Sequence, residues 1–220
     1  MDCWVPRIAS TRWIAFLAAS MLLCGCEEKT SLPYYNTPDF NPVFIDEENE
    51  ISQQITHHIA EFSLIDQDNR IVTQKDIEGK IHVANFIFTS CVSICPKMTN
   101  YMKEVQQEFH GDKEVVILSY SVTPWIDTPE VLQQYAVDKG IESTTWHLLT
   151  GNRSKIYELA RKSYFAEEDL GFTRDSTEFL HTEHLILVDK SKRIRGIYNG
   201  TLQLEIAQLI EDIKILKNEK

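Results

Sequence analysis

Beyond its first 26 residues this 220-residue chain has only two cysteines, because Cys3, Cys24 and Cys26 fall in the N-terminal segment. A framework of several disulfides is thereby excluded, and no third sulfur competes to pair with Cys91 or Cys95. Basic charge is also scarce: 22 Lys and Arg stand against 33 Asp and Glu. Without residues 1–25, which carry Asp2, Arg7 and Arg12, 20 basic residues remain against 32 acidic ones, a formal charge of −12. Such a surface argues against nucleic acid and against direct binding to anionic phospholipid. No internal repeat and no low-complexity tract is present. The longest apolar run, residues 13–23, is too short for a comfortable membrane span.

That run follows a short basic start and leads into Leu23, Cys24, Gly25 and Cys26. The pattern is that of an export signal, residues 1–25, with an ending like a bacterial lipobox. Cys26 is the expected lipidation site and mature N-terminus, which gives a membrane-anchored lipoprotein facing the periplasm. Residues 26–54 are polar, with Pro33, Pro38, Pro42 and an acidic stretch from Asp46 to Glu50, and are expected to form a tether. Residues 55–220 are enough for one domain with a sizeable core.

The chemistry is concentrated where Cys91, Val92, Ser93, Ile94, Cys95 and Pro96 follow the apolar run 83–88. A strand ending in a thiol loop before a helix can hold soft metal ligands or a redox pair, and the spacing alone leaves both open. A structural disulfide is the bland alternative, although closing three residues stabilises little. Pro96 suits the first turn of a helix. Cys95 then sits at the helix N-terminus, where the positive end of the helix favours thiolate, so Cys95 is expected to be a better nucleophile and a better metal ligand than an ordinary cysteine.

Residues 62–65 and 70–73 flank the turn-rich tetrad 66–69 and predict a hairpin. Strands are expected at 81–88, 114–122, 145–149, 185–188 and 193–198. Helices are expected at 96–109, from Thr128 and Pro129 to Gly140, at 153–162 and at 203–216, with an acidic loop around 167–169. The order implies an α/β fold with a mixed central sheet flanked by helices.

Taken with these elements, three landmarks resemble the Sco (SenC) family of thioredoxin-like copper proteins. They are residues 88–96, residues 121–124 with 127–132, and His181 with Thr182 ahead of 185–189. The resemblance implies a thioredoxin-like fold with an N-terminal β-hairpin, and copper held by Cys91, Cys95 and His181. It also implies supply of copper to the CuA-bearing subunit of cytochrome c oxidase. Because sulfurs bonded to each other cannot serve as thiolate ligands, loading would require an extracytoplasmic thioredoxin-like reductant. The chain would then be a metallochaperone rather than an enzyme. Where many family members carry acidic residues, this chain has Leu180 and Thr123.

Two thiolates and an imidazole suit Cu(I), whereas structural zinc wants four protein ligands. His184 is the rival imidazole; a histidine at a strand entry is more often a packing residue. The remaining histidines lie far in sequence from the cysteines, and Met98, Tyr101, Met102 and Val105 read as a core-facing stripe. The alternative function is a thiol–disulfide oxidoreductase using Cys91 and Cys95 as its redox pair. A peroxide-reducing enzyme is a third and weaker reading.

Overall fold

The computed structural model describes residues 31–166 and 182–219. Cys26, Leu180, His181 and the acidic loop 167–169 lie outside them.

The N-terminal hairpin forms where expected, from β3 (Ser63–Asp66) and β4 (Ile71–Thr73). Its turn is written in the side chains. Asp66 accepts the N–H groups of Asp68 and Arg70 at 3.0 and 2.8 Å, and Asn69 adopts φ 59°, a conformation that asparagine tolerates better than most residues. A short helix, α2 (Gln74–Ile77), leads to β5 (Ile81–Ile87), all seven residues of which are buried. Helix α3 (Ile94–Glu108) follows, then β6 (Val115–Ser121), again buried throughout. Strands covered on both faces lose the polar alternation of a half-exposed sheet, which is why these two read as continuous apolar runs.

Helix α4 (Pro129–Lys139) starts as its sequence demands: Thr128 caps it, Pro129 fills the first turn, and Gly140 ends it at φ 67°. Strand β7 (Trp146–Thr150) precedes α5 (Arg153–Glu158), and the chain continues as a π-helical turn, Leu159–Ser163, where an uninterrupted α-helix was expected. Strands β8 (His184–Val188) and β9 (Ile194–Asn199) and helix α6 (Gln203–Asn218) complete the domain.

Part of the expected tether is built into the fold. Strands β1 (Tyr34–Tyr35) and β2 (Pro42–Val43) add a hairpin to the sheet, and α1 (Glu48–Gln54) follows. The sheet order is β2-β1-β9-β8-β5-β6-β7-β3-β4. β5 lies at the centre, parallel to β6 and antiparallel to β8. One face of the sheet packs with Tyr157, Leu159, Tyr164 and the hairpin's Leu64 and Val72. The other takes α3, α4 and α6, and there Met98, Met102 and Val105 are fully enclosed. This is a thioredoxin-like α/β sandwich.

Candidate metal centre

β5 stops at Ile87 and α3 starts at Ile94, so both cysteines belong to the crossover at the C-terminal end of the central strand. A turn in which the Cys91 N–H donates to the Phe88 carbonyl at 3.2 Å brings the chain round. Cys91 is partly exposed; Cys95, in the first turn of α3, is only 3% exposed and belongs to the core cluster with Met98 and Leu185. Both thiols are free.

The two sulfurs differ in proton affinity, and the thiolate expected to be favoured at Cys95 is not. Burial pushes the Cys95 thiol up to about 12. Burial also works against the Cys91 thiolate, but backbone N–H groups of Cys95, Ser93 and Ile94, together with the Cys95 thiol, overcome it and hold Cys91 below the usual thiol range. The helix N-terminus does act on sulfur, but its amides serve Cys91. A helix end contributes roughly 0.3–1 kcal/mol, and up to about 2 in favourable partly buried geometries, less than removing a thiolate from water costs.

The loop is braced by a side chain to which the sequence reading gave no role of its own. Asp127, fully buried, accepts hydrogen bonds from the Thr89 N–H at 3.3 Å and hydroxyl at 2.5 Å, from Ser121 Oγ at 2.5 Å and from Thr123 Oγ1 at 2.9 Å. Thr89 lies two residues before Cys91, so this cluster ties the cysteine loop to the end of β6. The available signal was the run of hydroxyl residues at 119–123, polar where a buried strand should be apolar. Tyr135 of α4 meets Thr99 of α3 at 2.8 Å, and burial raises its phenol, with Cys95 and Cys91 adding to the effect. Val92, next to Cys91, is 96% exposed, and Trp125 and Ile126, just before Asp127, are exposed as well, with Arg153 stacked 4.7 Å from the Trp125 ring centroid.

The histidines sort as follows. His184 opens β8 on the same side as Ile186 and Val188, with its ring against Phe40; Leu185 and Leu187 lie on the other side, in the core cluster that includes Cys95. His57, His58, His82, His110 and His147 bond to Ser163, Ser191, Tyr164, Glu142 and Asp66 respectively. Among the described residues the thiol pair is the soft donor set, and no group of three or more His, Cys, Asp or Glu gathers to hold a metal.

The SCO1/SenC family model matches residues 51–218. The chain belongs to this family. Among its relatives, the SCO1 protein homolog of Bacillus subtilis is 30% identical over 167 residues, covering 75% of this chain and 86% of that protein. A SCO1/SenC family lipoprotein from Bacillus anthracis has a solved structure 27% identical, with TM-score 0.64 and coverage of 74% of this chain and 96% of that one. BsSco, described as a member of the Sco family of cytochrome c oxidase assembly proteins with a disulfide switch, is 28% identical, with TM-score 0.61 and coverage of 74% and 95%. ScoI of Bradyrhizobium japonicum, solved with copper bound, shares the fold at 24% identity, TM-score 0.56 and coverage of 71% and 98%.

Proposed function

We propose that this protein is an extracytoplasmic copper chaperone that carries one copper ion on Cys91, Cys95 and His181 for the CuA-bearing subunit of cytochrome c oxidase. Attachment is through lipid on Cys26. The observation that carries the reading is the pair of free thiols at the end of β5, Cys91 partly exposed and Cys95 buried. The donor chemistry fits: thiolate sulfur is the ligand that selects Cu(I) from harder ions. Copper as cargo displaces the Cys95 proton, so loading releases a proton and weakens as pH falls. Asp127 holds the loop in one arrangement through Thr89, and a partner approaches over Val92, Trp125 and Ile126. Support comes from relatives: ScoI was solved with copper bound, BsSco belongs to the oxidase assembly proteins, and the Bacillus anthracis relative is a lipoprotein.

The same asymmetry supports a second reading as a disulfide reductase. The Cys91 thiolate attacks a target disulfide, forming a mixed disulfide and releasing one target thiolate. Cys95 then gives up its proton and attacks the Cys91 sulfur, which frees the second target thiolate. The target gains two electrons and the chain is left with a Cys91–Cys95 disulfide for a thioredoxin-like reductant to reopen.

Anaerobic Cu(I) competition separates the two. The reduced protein should bind one copper tightly and lose that affinity on oxidation. Cys91→Ser, Cys95→Ser and His181→Ala should each weaken binding, while His184→Ala leaves it intact. Equal affinity in the oxidised and reduced forms would remove copper from these sulfurs and leave the reductase reading.

A further inference from the structure

Arg195 gathers three distant parts of the chain at one end of the sheet. It is 2% exposed, and its guanidinium donates to the carbonyls of Pro33 at 3.1 Å and Leu32 at 2.7 Å. It pairs with Asp189 at 3.3 Å and with both oxygens of Glu219 at 2.6 and 3.0 Å. The Tyr34 ring centroid lies 3.9 Å away, and the Leu32 N–H returns to Glu219 at 3.4 Å. A buried guanidinium is tolerated only while its partners stay in place, because removing one leaves a charge uncompensated away from water. Residues 32–34 are therefore held in the fold.

We propose that this clamp shortens the anchor to a short leash and turns the cysteine end of the domain away from the lipid surface. The proposal rests on lipid attachment at Cys26. Six residue steps separate Cys26 from Leu32, a reach of at most about 21 Å, where a free tether running to Ile55 would reach about 100 Å. The clamp lies where β5 begins: Tyr35 pairs with Ile194, Ile194 with Val188, and Val188 with His82. Cys91 follows the opposite end of β5, about 20 Å further along the strand direction. Beside the clamp, Val43 pairs with Tyr34, and the next residue, Phe44, is 67% exposed. An exposed aromatic at this edge suits the headgroup layer, where aromatic rings concentrate. The partner on this face is the bilayer that holds the lipid.

Native tryptophans test the orientation. Trp4 and Trp13 fall in residues 1–25, so the processed chain keeps Trp125, beyond the end of β6, and Trp146, which pairs with Ile117 level with Val83 near the start of β5. The lipidated protein is placed in phosphatidylcholine vesicles carrying dansyl-phosphatidylethanolamine, and energy transfer is read with and without Trp125→Phe. Transfer from Trp146 should exceed that from Trp125 roughly twofold, as their separation along the strand direction requires. Arg195→Ala should lower transfer and erase the difference. So should Tyr34→Leu with Glu219→Gln, which keeps Arg195 on Asp189 and is read in parallel. Equal transfer from the two tryptophans in vesicle-bound wild type, or no change in either clamp variant, overturns the proposal and leaves the anchor standing. Protein that fails to float with the vesicles, or floats equally well as Cys26→Ser, overturns the anchor reading and this proposal with it.

Discussion

Thr89 donates twice to Asp127, through its N–H at 3.3 Å and its hydroxyl at 2.5 Å, and by this pair the cysteine loop is fastened to the end of the neighbouring strand. Ser121 and Thr123 complete the set of donors. Asp127→Ala leaves four donor groups without their acceptor, two on partly buried Thr89 and two on buried Ser121 and Thr123. Stability in urea should fall by about 2–4 kcal/mol, since an orphaned buried polar group costs about 1–3 kcal/mol and the losses overlap. Asp127→Asn, which keeps a carbonyl oxygen, should lose less. A denaturation midpoint unchanged in Asp127→Ala would show that the bracing contributes nothing.

The unequal thiols set the order of alkylation. Iodoacetamide near neutral pH should label Cys91 and spare Cys95 until the protein is unfolded, because only thiolate reacts and Cys95, pushed up to about 12, stays protonated. The rate at Cys91 should level off at a lower pH than for an ordinary cysteine. Peptide mapping by mass spectrometry reads both; Cys95 labelled first would reverse the assignment of attacking and resolving sulfur.

A third expectation concerns acid. His82 is fully buried against Tyr164, its ring nitrogen 3.0 Å from the hydroxyl, and burial lowers its pKa from 6.5 to about 3. Between those values the unfolded chain takes up a proton that the native state refuses. Stability is therefore complete above pH 6.5 and drains away as pH falls toward 3. From pH 7 to pH 5 the loss should be about 2 kcal/mol from this group. His82→Gln, which keeps a partner for Tyr164 without titrating, should flatten that part of the profile. A urea-midpoint curve as steep as wild type would place the acid sensitivity elsewhere.

Much of the fold was legible in the residues. β5 and β6 announce themselves through mostly apolar stretches, the hairpin through Asp66 and Asn69, and α4 through Thr128, Pro129 and Gly140. Two-residue strands such as β1 and β2 carry no periodicity at all. What ties down the chain entering β1 is Arg195, more than 160 residues from Leu32 and Pro33 in sequence, and contact at that separation leaves no local trace. At the centre, the cysteine pair and its position ahead of a helix were plain from spacing. Their ranking was not, because local sequence indicates that Cys95 starts a helix but not that α3 turns it inward onto Met98 and Leu185. Once burial is known, desolvation outweighs the helix end. The role of Asp127 depends on three hydroxyl residues meeting across two loops, which only the folded chain brings together.

The central strand also sets an order of events. β5 finds β6 a short way downstream, but its other neighbour, β8, comes roughly a hundred residues later, and long loops close slowly. A chain still being completed therefore carries the thiol loop on a half-finished sheet, with one edge of β5 open to whatever strand is nearby. The segment from β8 to α6 acts as the closing piece. Loss of β8, β9 and α6 would leave the cysteines attached to an aggregation-prone stub, so premature truncation should be more damaging than removal of the outlying β1–β2 hairpin.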